Sequence, residues 1–307
     1  MATNNIAVAS VAAVPFRKGA SRSFWRKAQR SLLHSPVTAS ALGFLVLLVL
    51  AALTAPWISP ADPLAQDLLN GREAPFWWPG APGAGGVLGT DALGRDVLSR
   101  IIFGSRISLL VGVTSVLLSG IVGVALGAVS GFYGGWIDNT IMRAGDVLLS
   151  LPFLMLAIAI IAVLGPNLLN LILVLSISNW IVYARLVRGE VLSVKRQEYI
   201  EAARTIGVRD FSLLVRHIMP NAFSPVLVIS SFSMAQMILT EASLSFLGLG
   251  VQPPTPTWGG MLSEAREYFQ LAPWITVFPG LAIMFTVLAV NTVGDWMRDL
   301  LDPRLQA

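Results

Sequence analysis

Apolar and polar stretches alternate along the chain, and the apolar ones set its architecture. The first covers 37–55 and ends at Pro56-Trp57. Others cover about 107–133, 147–165, 168–184, 222–249 and 274–293. A helix needs about 20 mainly apolar residues to cross a bilayer core, so each run reads as a transmembrane helix and the fold class as all-α with six spans. Between the fourth and fifth runs lies the most polar segment of the second half. There Tyr199, Ala202, Ala203 and Ile206 fall at i, i+3, i+4 and i+7, an apolar stripe on a short helix. Gly207 stands where a helix C-cap would, and Asp210 can cap a second helix with Val208, Phe211, Val215 and Ile218 on one side. Pro220 is expected to close it, and Arg196, Arg204, Arg209 and Arg216 cover the remaining surface. A helix, a glycine bend and a helix between two spans make a docking knob.

The other polar stretches carry weaker signals. Residues 58–106 form a long excursion in which Phe76-Trp77-Trp78-Pro79-Gly80 and the glycine-rich 80–89 lack periodicity and read as loop. Within 89–100, Gly89 and Gly94 have the glycine spacing of a phosphate-binding loop, but Arg95-Asp96 stand where lysine and serine or threonine are needed. An aspartate there repels phosphate, so the segment reads as a surface turn leading into an amphipathic helix. Pro253, Pro254 and Pro256 make 250–260 a stiff external loop. In the second span Gly123, Gly127, Gly131 and Gly135 recur every fourth residue, a face that lets two helix backbones approach closely in lipid. Packing within the subunit and packing against a partner both fit that face.

Composition agrees with the pattern. Of 307 residues, 55% are hydrophobic and 12% charged, and the mean hydropathy is +0.71. Those values belong to a membrane protein. The net charge of +4 needs no nucleic acid to explain it. There is no cysteine, which removes disulfides and thiolate metal sites, and His34 and His217 are the only histidines, too few for a histidine-built metal centre. His217 reads as a helix-surface residue.

Charge also orients the chain. With both termini cytoplasmic, 16 Lys and Arg fall on cytoplasmic segments and 5 on external ones, as the positive-inside rule requires. Trp57, Trp136, Trp274 and Trp296 stand at span edges, where interfacial anchors belong. The organisation is then a basic cytoplasmic tail (1–36), a first span (37–57), an external loop (58–106), a five-span core (107–293) with its cytoplasmic loop at 193–221, and a cytoplasmic tail (294–307). A cleaved signal peptide is the rival reading of the start. The long leader, an apolar run of nearly 20 residues and the lack of a small-x-small site favour an uncleaved span.

Glu241 is the one acid inside a span. A charge at mid-bilayer costs about 2.5–3.5 kcal/mol, so it faces protein or water. Either it sits on a substrate path or proton relay, or it is a buried hydrogen-bond partner with Thr240, Ser243 and Ser245 nearby. A lone acid without a second ionisable group is a poor relay, which favours the structural role. No enzyme site emerges: no serine–histidine–acid or serine–lysine grouping stands out, and Glu264 and Glu267 beside Arg266 read as a solvated face.

The run Glu201-Ala202-Ala203, then Gly207, Ile218 and Pro220, resembles the EAA loop of permease subunits in bacterial ABC importers. His217 and Met219 depart from the usual residues there. Leu88-Gly89-Thr90-Asp91, Gly94 to Arg100, Arg216 to Asn221, Thr240 to Gly248 and Trp258-Gly259 are similar to the dipeptide/oligopeptide/nickel group. The long loop after the first span resembles the C type of its two paired permeases.

The resemblance implies a type I importer-like permease in the bacterial inner membrane. Its EAA loop would be a coupling helix seated on a separate ATP-hydrolysing subunit, with Glu201, Ala202, Ala203, Gly207, Ile218 and Pro220 as the contact. It implies a second homologous permease, two ATP-binding subunits that hold ATP and Mg, and a periplasmic substrate-binding protein, with no cofactor on this chain. Transport would proceed by alternating access, with di- or oligopeptides as substrates and nickel, glutathione or another small solute as alternatives. A proton-coupled secondary transporter using Glu241 is the reading from a different class, and the internal repeats it would usually show are not seen.

Overall fold

The structure, a computed structural model, describes residues 35–79 and 85–301 together with 29, 31 and 32. The basic residues of the N-terminal tail, His34, Arg304 and part of the glycine-rich loop lie outside the described residues. Among those described no strand forms, and one bridge between Thr90 and Asp96 closes the turn at the foot of the external loop.

Helix α1 (Pro36–Leu53) starts at Ser35, whose hydroxyl accepts from the Thr38 amide, with Pro36 in the first turn where a missing N–H costs nothing. After one further turn, Ala55–Ile58, the chain crosses the external loop and enters α2 (Val97–Tyr133). Asp96 caps α2 by accepting from the Ser99 amide at 2.7 Å. The helix therefore begins well before the apolar run at 107. Helices α3 (Gly135–Ser150) and α4 (Phe153–Leu164) follow, then α5 (Leu168–Val194), capped by Asn167 through the Asn170 amide. The polar segment folds as α6 (Glu198–Thr205). Helix α7 (Asp210–Phe246), the short α8 (Trp258–Glu264) and α9 (Trp274–Leu301) complete the chain.

Five helices (α1, α2, α5, α7 and α9) are long and apolar enough to span, and the pair α3 and α4, bent by 90°, passes the same test only when taken together, which makes six if the pair counts as one span. The continuous third span expected at 147–165 is thus broken. Leu151 is extended (ψ 133°) because a following proline disfavours helical backbone, and Pro152 has no N–H with which to continue the ladder.

The glycine face resolves into an internal seam. A Cβ on Gly123 would strike the Trp180 carbonyl, one on Gly127 the Ala184 backbone, and one on Gly131 would lie 2.9 Å from Val191 Cβ. These three glycines let α2 and α5 touch backbone to backbone within the subunit. Gly135 is not one of them. Helix α2 ends at Tyr133, Gly134 and Gly135 turn the chain with positive φ, and nothing lies within 4 Å of a Cβ on Gly135. Of the tryptophans at span edges, Trp57 and Trp136 are exposed, but Trp274 is buried and donates through Nε1 to the Thr90 carbonyl at 3.1 Å.

Candidate functional site

The polar segment folds as a knob with an anchored side and an open side. Ile200 is buried with Leu213, Leu214, Ile218 and Ala222 against Val187 and Val191 of α5 and Ala128 and Phe132 of α2, with Ala203 and Val208 at the margin. The stripe read from spacing lies elsewhere: Tyr199, Ala202 and Ile206 are exposed, Ile206 by 82%, and so is Phe211 by 75%. Periodicity located the apolar face of α6 without saying which partner it meets. The buried residue, Ile200, lies off that stripe.

The bend is built by backbone geometry. Gly207 has φ +84°, its amide donates to Arg204 O at 3.0 Å, and the Val208 amide donates to Ala203 O at 3.2 Å. This pair of bonds satisfies the last carbonyls of α6 and requires a left-handed residue between the two helices. Asp210 is the first helical residue of α7, and the cap is Arg209, which makes no side-chain bond. Asp210 therefore acts on the helix end by its charge.

Pro220 does not close α7. The helix widens into a π turn over Leu213–Ile218, which opens room for the proline ring and shifts Phe211 and Val215 off the buried face that Ile218 keeps. Asn221 Nδ2 donates to His217 O and Ile218 O at 2.8 and 3.2 Å, satisfying carbonyls in this irregular stretch. Glu201, Ala202, His217 and Pro220 are exposed, and a cleft of about 290 Å³ beside α6 sets Lys195, Arg196 and Arg204 next to Glu201.

Glu241 lies between α7 and α2 with no exposed surface. Ser245 donates to Oε1 at 2.7 Å and Ser108 of α2 to Oε2 at 3.2 Å. Thr240 and Ser243 bond to their own helix carbonyls. Ser108, 133 residues away, carried no local signal.

The family described as binding-protein-dependent transport system inner membrane component matches residues 123–307. A second, described as the N-terminal TM domain of oligopeptide transport permease C, matches 23–75. The chain belongs to the binding-protein-dependent transport system inner membrane component family. Among its relatives, the glutathione transport system permease protein of Pectobacterium atrosepticum is 43% identical over 93% of this chain and 93% of its own. The di/tripeptide transport system permease protein of Pseudomonas aeruginosa is 43% identical over 93% of this chain and 92% of its own. The fold matches the MetNI methionine ABC transporter in an inward-facing conformation, with a TM-score of 0.56, 15% identity, and 66% of this chain and 96% of that chain covered. The protein is a permease subunit of an ABC importer, resident in the inner membrane.

At the outer end of the permease lies a cluster that local reading missed. Asp91 Oδ2 accepts from Arg95 Nε at 2.6 Å and from Arg100 Nη1, and Oδ1 accepts the Leu93 and Arg95 amides at 2.9 and 3.0 Å. Glu264 Oε2 accepts from Arg95 Nη2 at 2.6 Å and Arg100 Nη1 at 2.7 Å. The side chains of Asp91, Arg95 and Arg100 are 3, 6 and 2% exposed, against 32% for Glu264. Glu264 is therefore not part of a solvated face with Glu267; it closes a charge-balanced quartet over a sequence gap of more than 160 residues. Arg266 instead sits over the Phe246 ring at 4.4 Å. The two glycines that imitate a phosphate loop serve this clasp: both have positive φ, and a Cβ on Gly94 would strike the Asp67 carbonyl.

Proposed function

We propose that this permease carries di- or oligopeptides, a glutathione-sized tripeptide among them, into the cytoplasm, and that the force for it enters through the knob. The observation that carries the mechanism is the two-sided knob. Ile200, Leu213, Leu214 and Ile218 fasten it to α2 and α5, while Tyr199, Ala202, Ile206 and Phe211 are apolar and uncovered. An apolar patch of that kind on a polar projection is a docking surface. Its occupant in this reading is one of two ATP-binding subunits that hold ATP and Mg, with Glu201 and the surrounding arginines setting the register. A second, homologous permease completes the channel, and a periplasmic substrate-binding protein delivers cargo at the external loop. Closure of the ATPase pair then moves the knob and the helices anchored to it as one body, opening the channel to alternate sides. The cargo rests on the relatives, whose systems are described for glutathione and for di- and tripeptides.

Glu201→Arg and Gly207→Pro test the mechanism. The first reverses an exposed charge on the knob, and the second imposes a negative φ on a residue at +84°. Both variants are expected to insert normally and to lose delivery-stimulated ATP hydrolysis and uptake. Normal uptake in both removes the knob from the mechanism. Competition of labelled dipeptide uptake by glutathione and by longer peptides tests the cargo.

A further inference from the structure

Helix α3 leaves α2 at Gly134 and runs across α5, and four observations show how firmly it is held there. The Asp138 carboxylate accepts from Arg188 Nε at 2.6 Å and Nη2 at 2.7 Å, in fork-to-fork pairing, and also from the Ser130 hydroxyl of α2. Two turns along α3, Asp146 accepts from Arg185 Nη2, an exposed pair that orients the helix more than it binds it. Between the two pairs Gly145 is pressed onto Ile181 so closely that a Cβ would overlap that side chain. Ile141, Met142 and Leu148 pack on Trp180, Ile181 and Ala184. Helix α4 belongs to a different group: Ala157 and Ile161 are buried with Val111, Leu171, Leu175, Met237 and Leu244. The two groups meet at Leu151-Pro152, where the backbone is extended and the axis turns by 90°. Arg188 lies ten residues before Glu198, on the same helix end that anchors Ile200.

We propose that the Asp138–Arg188 pair, seconded by Asp146–Arg185, is a transmission joint: it makes α3 follow the knob, so that movement of the knob changes the angle of the broken span at Leu151-Pro152. Both are positioning residues, and neither need touch cargo or nucleotide. A continuous helix would pass a displacement along its whole length. A helix broken beside a proline converts the displacement of one half into a change of angle, provided that half is tied to the driver. Asp138 provides the tie, because its two oxygens hold α2, α3 and α5 together. The inference rests on the reading that force enters at the knob.

The test uses the full importer, with its partner subunits, in proteoliposomes. Asp138→Asn keeps the shape and removes the charge. Uptake is expected to fall about tenfold, within the range of site-to-site coupling energies, while basal ATP hydrolysis stays within about twofold. The charge-exchanged double variant, Asp138→Arg with Arg188→Asp, is expected to recover most of the uptake lost by either single variant. Since the chain has no cysteine, spin labels on cysteines introduced at Asn139 and Gln197 report this joint once the partner subunits are also cleared of reactive cysteines. Their separation is expected to persist through ATP binding in the parent and to broaden in Asp138→Asn. Normal uptake in Asp138→Asn while Glu201→Arg is uncoupled overturns the joint and leaves the knob standing; normal uptake in both overturns the two together. Reduced uptake with unchanged label distances also overturns the joint, because it leaves Asp138 a merely structural role.

Discussion

At the outer end of the permease, Asp91, Arg95 and Arg100 bury their charges against one another and against Glu264; at the inner end, Glu201, Arg204, Arg209 and Arg216 stand in solvent around an uncovered apolar patch. Both ends are charged loops between spans, and a charge count treats them alike. They differ in where the partners are. The outer charges find theirs within the chain and lock the external loop, the start of α2 and the end of α8 into one piece. The inner charges lack such buried partners, and the apolar residues among them are uncovered. Self-satisfaction marks a scaffold, and exposed, anchored surface marks a contact.

The sharpest way to break that comparison is to remove one member of the outer cluster. Arg100→Ala removes one of the two cations that Asp91 and Glu264 share and leaves Arg95 alone between two carboxylates, the Asp91 one almost wholly buried. Breaking a buried pair this way costs about 3–5 kcal/mol. The variant is expected to show a clear loss of thermal stability in detergent and early proteolysis within 58–96, whereas Arg209→Ala on the knob leaves the melting profile unchanged. Equal profiles for the two variants would mean that the outer cluster is no scaffold.

The α2–α5 seam sharpens it next. Gly127→Leu pushes a side chain into the Ala184 backbone, and overpacking of this kind costs about 1–3 kcal/mol or more where backbone must move. Gly135→Ala meets open space and pays only for a left-handed backbone, about 1–2 kcal/mol. Expression and melting of the pair should therefore separate, with Gly127→Leu the lower. If the two fall together, the four glycines form one face after all.

These cases show what a linear reading can and cannot see. The spans were legible because lipid demands long apolar runs, and the Gly207 bend because only a residue free to take positive φ ends a helix that way. The glycine seam was legible as a period, but its end at Gly131 was not, since the turn at Gly134 is a feature of backbone geometry. The knob stripe was found with its facing undetermined: spacing places Tyr199, Ala202 and Ile206 together, and whether they look in or out depends on Ile200 reaching α5. The Asp91–Glu264 cluster and the Ser108–Glu241 bond were invisible because their members lie more than a hundred residues apart. The break at Leu151-Pro152 was signalled by the proline, but the apolar run continued across it and hydropathy outvoted the residue.

Glu241 supplies the smallest expected effect and carries the comparison into the membrane. Its two oxygens accept from Ser245 and Ser108, and among the described residues no basic side chain reaches it. It resembles the outer cluster in finding its partners within the chain, but those partners are neutral hydroxyls. Glu241→Gln preserves both contacts. The amide oxygen accepts from one serine, and the amide nitrogen donates to the other, whose hydroxyl rotates to suit. The substitution is expected to cost less than about 1 kcal/mol, the worth of one ordinary hydrogen bond, and to leave uptake within about twofold. Glu241→Ala differs, because it leaves two serines unpartnered beside a cavity and costs about 1–3 kcal/mol. A proton-carrying role makes the opposite forecast: glutamine cannot release a proton, so uptake would vanish in Glu241→Gln while stability held. Measuring uptake and melting together in the two variants therefore decides whether this acid fastens two helices or moves charge. The bond to Ser108 favours fastening, because it joins α2 to α7 with or without a proton on the carboxyl, while Ser245 on α7 itself holds the other oxygen in place.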